Sequence, residues 1–315
     1  MFFSEIIHIS EENMRNTKEL DHKTMSDELI NLSKRYEFIK LSYIGTSVMG
    51  RPIPIITLGD EDAKRGVLYV ATHHATENIC TSLMLDFIED YAKIFTEGKY
   101  VYGINLHVLY KMRKIYIVPM LNPDGVEYRL HGLDKSSPIW ERLIQYNGGE
   151  DFSLWNSNGR GVDLNHNYNA YFDEYKLIER EQGITYGRTR FSGESPESEP
   201  ETAALTNFIR YNESKIDGIL TFHTQGEEIY YKSQGKEIKR ASYIAEAISR
   251  FTRYKVSEAE GLSSFGGLTD WFIKEVDKPS FTLECGKGEN PLDISCEWEM
   301  YCRLRELLFN FPILL

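Results

Sequence analysis

Two kinds of hydrophobic period alternate along this chain, and that alternation narrows the fold more than any single residue does. The runs FIKLSYIG, PIPIITLG, GVLYVAT and KIYIVPM are rich in Ile, Val and Tyr and are bounded by Gly, Pro or polar residues, so they read as strands. Between the last two, Ile79, Leu83, Phe87, Ile88, Tyr91 and Phe95 recur at helical spacing. The second half repeats the scheme. Ser198-Glu199-Pro200-Glu201 has the form of a capping box opening a helix through Ala203, Leu205 and Phe208. GILTFH and PSFTLE read as strands, and helices are expected over Glu237 to Phe251, near Asp270 to Glu275 and over Glu297 to Phe309. A short amphipathic helix with a Ser cap is expected from Ser26 to Tyr36. The stretch from about Asn122 to Ser195 is rich in Gly, Asn and Ser, has little periodicity and reads as a long functional loop. Strands interleaved with helices predict an α/β fold: a mixed, mostly parallel twisted sheet with helices on both faces. One domain over residues 1–315 is expected, with 1–36 as a helical extension packed on it. Ligands in such sheets sit at the carboxyl ends of strands.

Charge and cysteine usage exclude other classes. A net charge of -12 argues against a nucleic-acid or anionic-membrane surface, and no dense Lys/Arg run offsets it. No apolar stretch approaches the length that spans a bilayer. The opening MFFSEIIHISEENMRN lacks a cationic segment followed by a sustained apolar run, so no secretory signal is read. Cys80, Cys285, Cys296 and Cys302 show neither CxxC nor framework spacing, which predicts reduced thiols and a cytoplasmic location.

The residues with chemistry fall at strand ends. GVLYVATHHATEN puts His74 just past a strand and Glu77 three residues on, in the first turn of a helix if that helix starts near Thr76. An imidazole and a carboxylate that meet at one point suit zinc. HxxE alone occurs often by chance, and its register selects His74 over His73, which is expected to be packed or solvated. GILTFHTQGEE ends an apolar strand on His223, where a lone histidine is more commonly a satisfied core residue; its neighbours Gln225, Gly226, Glu227 and Glu228 favour a ligand. Three protein ligands leave one position for water. PSFTLECGKGENP offers a base to take the proton of that water. Strand alternation puts Phe281 and Leu283 on one face and Ser280, Thr282 and Glu284 on the other. A carboxylate there needs a partner or a task, the plain alternative being a salt bridge to Lys287.

With these pieces in place the sequence resembles the zinc metallocarboxypeptidase family. HATE (His74 to Glu77), NPDG (Asn122 to Gly125), GVDLN (Gly161 to Asn165), Phe222-His223, GGLTDW (Gly266 to Trp271) and FTLE (Phe281 to Glu284) stand in that family's order. WNSNGRGVDLNHNY, FHTQGEEIYY and SFTLECGKGENP look most like its γ-D-glutamyl-L-diamino acid endopeptidase branch, which acts on cell-wall peptides. The resemblance implies a carboxypeptidase-like α/β/α sandwich, one zinc ion on His74, Glu77 and His223, Glu284 as general base and acid, and Asp163 behind His74 to orient it. Read without the family, Asp163 could equally be a turn residue.

The sequence departs from ordinary carboxypeptidases in three places. Their carboxylate-binding Asn-Arg pair reads Asn165-His166 here, which removes the bidentate fork. The arginine that polarises the scissile carbonyl would fall near Asn156, with Arg160 as the nearest cation. The tyrosine that usually precedes GGxxDW is absent from GLSSFGGLTDW, where Phe265 has no hydroxyl. The leading expectation is hydrolysis of the γ-D-glutamyl–diaminopimelate bond in soluble muropeptides, with Arg160, Asn165, His166, Gln225 and Glu227 as substrate-binding candidates. Glu227 or Glu228 would meet the distal amine. Alternatives are a metallocarboxypeptidase of broader C-terminal specificity, an aspartoacylase-type deacylase, and an inactive zinc-holding muropeptide-binding protein. The diamino acid and the oligomeric state stay open at the level of sequence.

Overall fold

The structure is a computed structural model, and it describes residues 18–258 and 265–315. The first part of the expected N-terminal extension lies outside the described residues. Ten strands follow in chain order: β1 Ile39–Thr46, β2 Pro52–Leu58, β3 Arg65–Ala71, β4 Tyr100–Val101, β5 Ile104–Asn105, β6 Arg113–Val118, β7 Ile216–His223, β8 Glu228–Tyr230, β9 Lys255–Val256 and β10 Ser280–Glu284. Eight of them form one sheet in the order β1-β2-β6-β3-β7-β10-β8-β9, and β4 with β5 makes a small hairpin. The centre, β6-β3-β7-β10, is parallel; β2 and β8 pair with its edges antiparallel, and β1 pairs antiparallel with β2. This is the mixed α/β architecture that the alternating periods predict.

The pleat sorts the core into two layers. Val67, Tyr69 and Ala71 of β3 point into one apolar cluster, and Leu68 and Val70 into the other. Helix α1 (His22–Arg35), α2 (Ile79–Glu97), α3 (Leu106–Met112), α8 (Ala241–Thr252) and α10 (Glu297–Leu314) feed the first cluster; α7 (Pro200–Tyr211) and the single turn α9 (Leu268–Trp271) feed the second. A central strand covered on both faces has to be apolar throughout, and β3 is buried from Gly66 to Ala71. The helix α2 buries Leu83, Phe87 and Ile88 completely and stops at Gly98, whose φ of 66° lets its N–H reach Ile94 and Phe95. The strands β7 and β10 send Phe222, Phe281 and Leu283 into the α2/α10 layer, so His223 and Glu284 face the other side.

The structure corrects several expected boundaries. Helix α1 starts at His22, because Asp21 Oδ1 accepts from Thr24 N at 2.7 Å; Ser26 lies within it. The stretch 122–195 contains α4 (Pro123–His131), α5 (Trp140–Asn147) and α6 (Phe172–Gln182). The capping box at Ser198 does not form. Ser198 Oγ donates to Glu199 Oε1, Glu201 Oε1 accepts from Val48 N, and α7 begins on Pro200 with no side-chain cap. Among the described residues no helix is long and apolar enough to cross a membrane. The four cysteines are free.

Candidate metal centre

Three adjacent parallel strands end at one place. After β3 the chain turns through Thr72, whose φ is 58°, and His74 precedes the short 3-10 turn Ala75–Glu77 that leads into α2. Glu77 N donates to His74 O at 3.1 Å, so the two candidate ligands share one turn. His223 closes β7, and in the parallel pairing it lies beside Glu284, the last residue of β10.

The side chains converge. Glu77 Oε1 lies 2.9 Å from His74 Nδ1, and Glu77 Oε2 lies 2.9 Å from His223 Nδ1. One ligand atom from each of the three residues falls within 4.8 Å of the others. Two imidazole nitrogens and a carboxylate oxygen, almost entirely out of solvent, are the donor chemistry of a zinc site that keeps an open position. The residues present therefore fit that ion. Behind His74, Nε2 meets Asp163 Oδ1 at 3.1 Å, which fixes Nδ1 as the ring atom facing Glu77. Asp163 is itself held by Arg190 N at 2.8 Å and Thr189 Oγ1 at 3.2 Å on Oδ2.

The electrostatics follow from this packing. Burial alone would lower the His74 pKa, but the Glu77 and Asp163 carboxylates outweigh it and hold it well above the ordinary imidazole value. Burial would raise Glu77, yet the two imidazoles hold it down at about 2. Asp163 is likewise held below the usual carboxylate range, against its burial, by His74. Burial pushes Glu284 up to about 7. Lys287, its alternative partner, goes instead to Glu227 at 2.8 Å.

His73 is fully buried, with Nε2 2.8 Å from Tyr168 OH and its ring stacked on His223. The substrate-binding candidates are dispersed. Arg160 Nε lies 3.1 Å from Glu199 Oε2. Asn165 Oδ1 accepts from Leu268 N at 3.3 Å, at the start of α9. His166 Nδ1 donates to Phe265 O at 2.8 Å and stacks on Tyr175 at 4.3 Å. Gln225 is exposed. The Glu227 carboxylate is paired with Lys287 at 2.8 Å and with Arg303 at 2.5 Å. Glu228 accepts from Tyr230 OH and from Ser257 Oγ.

Three supporting residues were missed in the sequence. Asn156 Oδ1 accepts from Thr76 N and Thr76 Oγ1, so it pins the turn carrying Glu77. Asn290 Nδ2 donates to Thr224 O at 2.8 Å and approaches Glu77 Oε1 at 3.4 Å, while its Oδ1 accepts from Thr224 Oγ1 at 2.6 Å. Tyr175 backs His166. The Asn-Pro step at 290 signals a turn in the sequence, but no local pattern connects it to Glu77.

Comparison with known proteins places this geometry. The zinc carboxypeptidase family model matches residues 25–301. The chain is 33% identical over 276 residues to γ-D-glutamyl-L-diamino acid endopeptidase 1 of Lysinibacillus sphaericus, covering 87% of this chain and 67% of that protein. It is 27% identical over 261 residues to human carboxypeptidase B2, covering 77% of this chain and 56% of that protein. The crystal structure of thrombin activatable fibrinolysis inhibitor superposes with a TM-score of 0.69 at 18% identity, covering 93% of this chain and 73% of that one. The chain belongs to the zinc carboxypeptidase family, and is a metallopeptidase that uses one zinc ion.

Proposed function

We propose that this peptidase hydrolyses the γ-D-glutamyl–diaminopimelate bond of peptidoglycan-derived peptides, with Glu284 as general base and then general acid. The observation that carries the chemistry is the register of β7 and β10, which pairs Glu284 with His223, one of the three residues whose ligand atoms converge. The bond is taken from the L. sphaericus relative, whose name is that of an endopeptidase for this linkage.

His74, Glu77 and His223 would hold zinc, which when bound supplies a Lewis acid for the scissile carbonyl and eases deprotonation of the attacking water. Glu284 takes one proton from that water onto a carboxyl oxygen as the water oxygen adds to the carbonyl carbon. It returns the proton to the leaving nitrogen as the carbon–nitrogen bond breaks, so the products are a free amine and a γ-carboxylic acid, which then releases the second water proton to solvent. A base raised to about 7 by burial accepts and returns a proton near neutral pH with little free-energy change in either direction. Asp163 holds the His74 ring in one orientation throughout. The cellular setting, soluble muropeptides in the cytoplasm, is an expectation carried by the sequence alone.

The test is turnover of L-Ala-γ-D-Glu-meso-diaminopimelate, with and without a chelator, against a blocked dipeptide with a free aromatic C-terminus. Chelator-sensitive release of diaminopimelate, at a higher kcat/KM than for the dipeptide, is expected. Equal or better turnover of the dipeptide would make this a carboxypeptidase of broader C-terminal specificity.

A further inference from the structure

We propose that Arg190 supplies the cation that holds the free α-carboxylate of the residue on the carboxyl side of the scissile bond. This inference rests on the peptidase reading above and names the residue that performs a task left open by it. Position 166 carries histidine where related carboxypeptidases carry an arginine fork, and the structure commits that histidine elsewhere. Its Nδ1 is bonded to Phe265 O, and its ring lies flat on Tyr175. Burial also lowers its pKa, which works against a positive charge on the ring.

Arg190 stands next to both parts of the site. Its N–H donates to Asp163 Oδ2 at 2.8 Å, and Asp163 Oδ1 meets the metal-binding His74. Its carbonyl accepts from Tyr175 OH at 2.6 Å, and Tyr175 is the ring stacked on His166. The backbone is thus tied at one side to the metal centre and at the other to the place of the missing fork. It is held there at a φ of 71°, a conformation an arginine adopts only when its surroundings impose it. Burial raises the Tyr175 phenol pKa, and the Arg190 charge is close enough to work against that rise.

Arg190 is an exposed residue, and among the described residues it takes part in no ion pair. Other basic side chains are already paired: Arg160 with Glu199, Lys176 with Glu179, and Arg303 and Lys287 with Glu227. In a chain of net charge -12, an arginine with a fixed backbone and an unpaired tip beside a catalytic centre is placed to receive an anionic ligand. Arg188 is also exposed and unpaired, but its tie is different. Its carbonyl accepts from Asn156 N and Ser157 N, and among the described residues no hydrogen bond joins it to Asp163 or Tyr175.

The test compares each substrate with its own amide. kcat/KM is measured for the muropeptide tripeptide with its diaminopimelate α-carboxylate free or amidated, and for the blocked dipeptide with its C-terminus free or amidated. The proteins are wild type, Arg190→Ala, Arg190→Lys and Arg188→Ala. Arg190→Ala should lower kcat/KM for the acids by about tenfold to a hundredfold and for the amides by less than about twofold, with partial recovery in Arg190→Lys. Calorimetric binding to Glu284→Gln, with and without Arg190→Ala, should show the same acid-selective loss without turnover. An equal loss on acid and amide, no loss on the acid, or a loss that follows Arg188→Ala overturns the assignment. If wild type cleaves the dipeptide but not the tripeptide, the cell-wall reading fails while the dipeptide pair still judges Arg190. If neither is cleaved, equal binding of acid and amide overturns it.

Discussion

Glu284 and Lys287 are three residues apart, yet the lysine reaches Glu227 and leaves the glutamate facing the metal ligands. A half-buried carboxyl in that position should behave as a base rather than a ligand. Glu284→Gln is expected to keep a full complement of zinc by metal analysis while kcat falls by about a hundredfold to ten-thousandfold. Loss of the metal in that variant would make Glu284 a ligand. Asn290 acts at one remove. Its amide clamps Thr224, the residue after His223, and approaches Glu77, so two candidate ligands from different elements share one support. Supports of this kind are typically worth about tenfold to a hundredfold in metal affinity. Asn290→Ala should therefore weaken zinc binding by about that factor in a chelator competition, a readout independent of turnover. Unchanged affinity would reduce Asn290 to a loop residue.

At the scale of elements, what was legible in the sequence was local. Strand alternation alone separates Phe281 and Leu283 from Thr282 and Glu284, and the three-residue step from His74 to Glu77 survives as one 3-10 turn. What was not legible depends on partners far along the chain. Helix α4 is short, and its N-cap Asn122 is engaged by His73, Asn156 and Ser157 as well as by Gly125. No window of sequence contains those contacts, so 122–195 read as loop. Asp124, the second residue of α4, shows the consequence. Fully buried, it takes Ser47 Oγ at 2.8 Å, Met49 N at 2.8 Å and Arg51 at 2.6 Å, fastening the β1–β2 turn to the helix start. Asp124→Asn removes the charge from these bonds and should cost about 1.5–3 kcal/mol, read as a lower urea midpoint at constant slope. A midpoint equal to wild type would show that the turn holds without the ionised form.

At the scale of the whole molecule, burial raises three carboxyl groups among the described residues to about 7: Glu201, Asp270 and Glu284. Glu284 lies at the candidate metal site, where a bound metal would add a pH dependence of its own through His74 and Glu77. Glu201 belongs to a separate cluster with Asn158, Glu199 and Asp124, so it isolates the effect of burial. The cause is chiefly its removal from water, reinforced by Asp124 and Glu199 and opposed by the Val48 N–H that it accepts. The sign is fixed by linkage. A carboxyl whose folded pKa lies above its unfolded value of about 4.5 binds more protons folded than unfolded between those values. Its contribution to stability is therefore fully present below about pH 4.5 and is lost as the pH rises through about 7. Glu77 and Asp163, held low, act in the opposite sense and only in acid, where their contribution is lost as the pH falls. Between pH 5 and 8 the wild-type unfolding free energy should thus carry a decline from Glu201 on the order of 3 kcal/mol, from about 1.4 kcal/mol per pKa unit. Glu201→Gln, which cannot ionise, should flatten the profile by that amount. Chemical denaturation of both proteins at pH 5 and pH 8 measures the difference, and the zinc contribution cancels between them. Parallel profiles would mean that Glu201 titrates in the folded protein near its ordinary value and that the cluster around Asn158 is better solvated than its burial indicates.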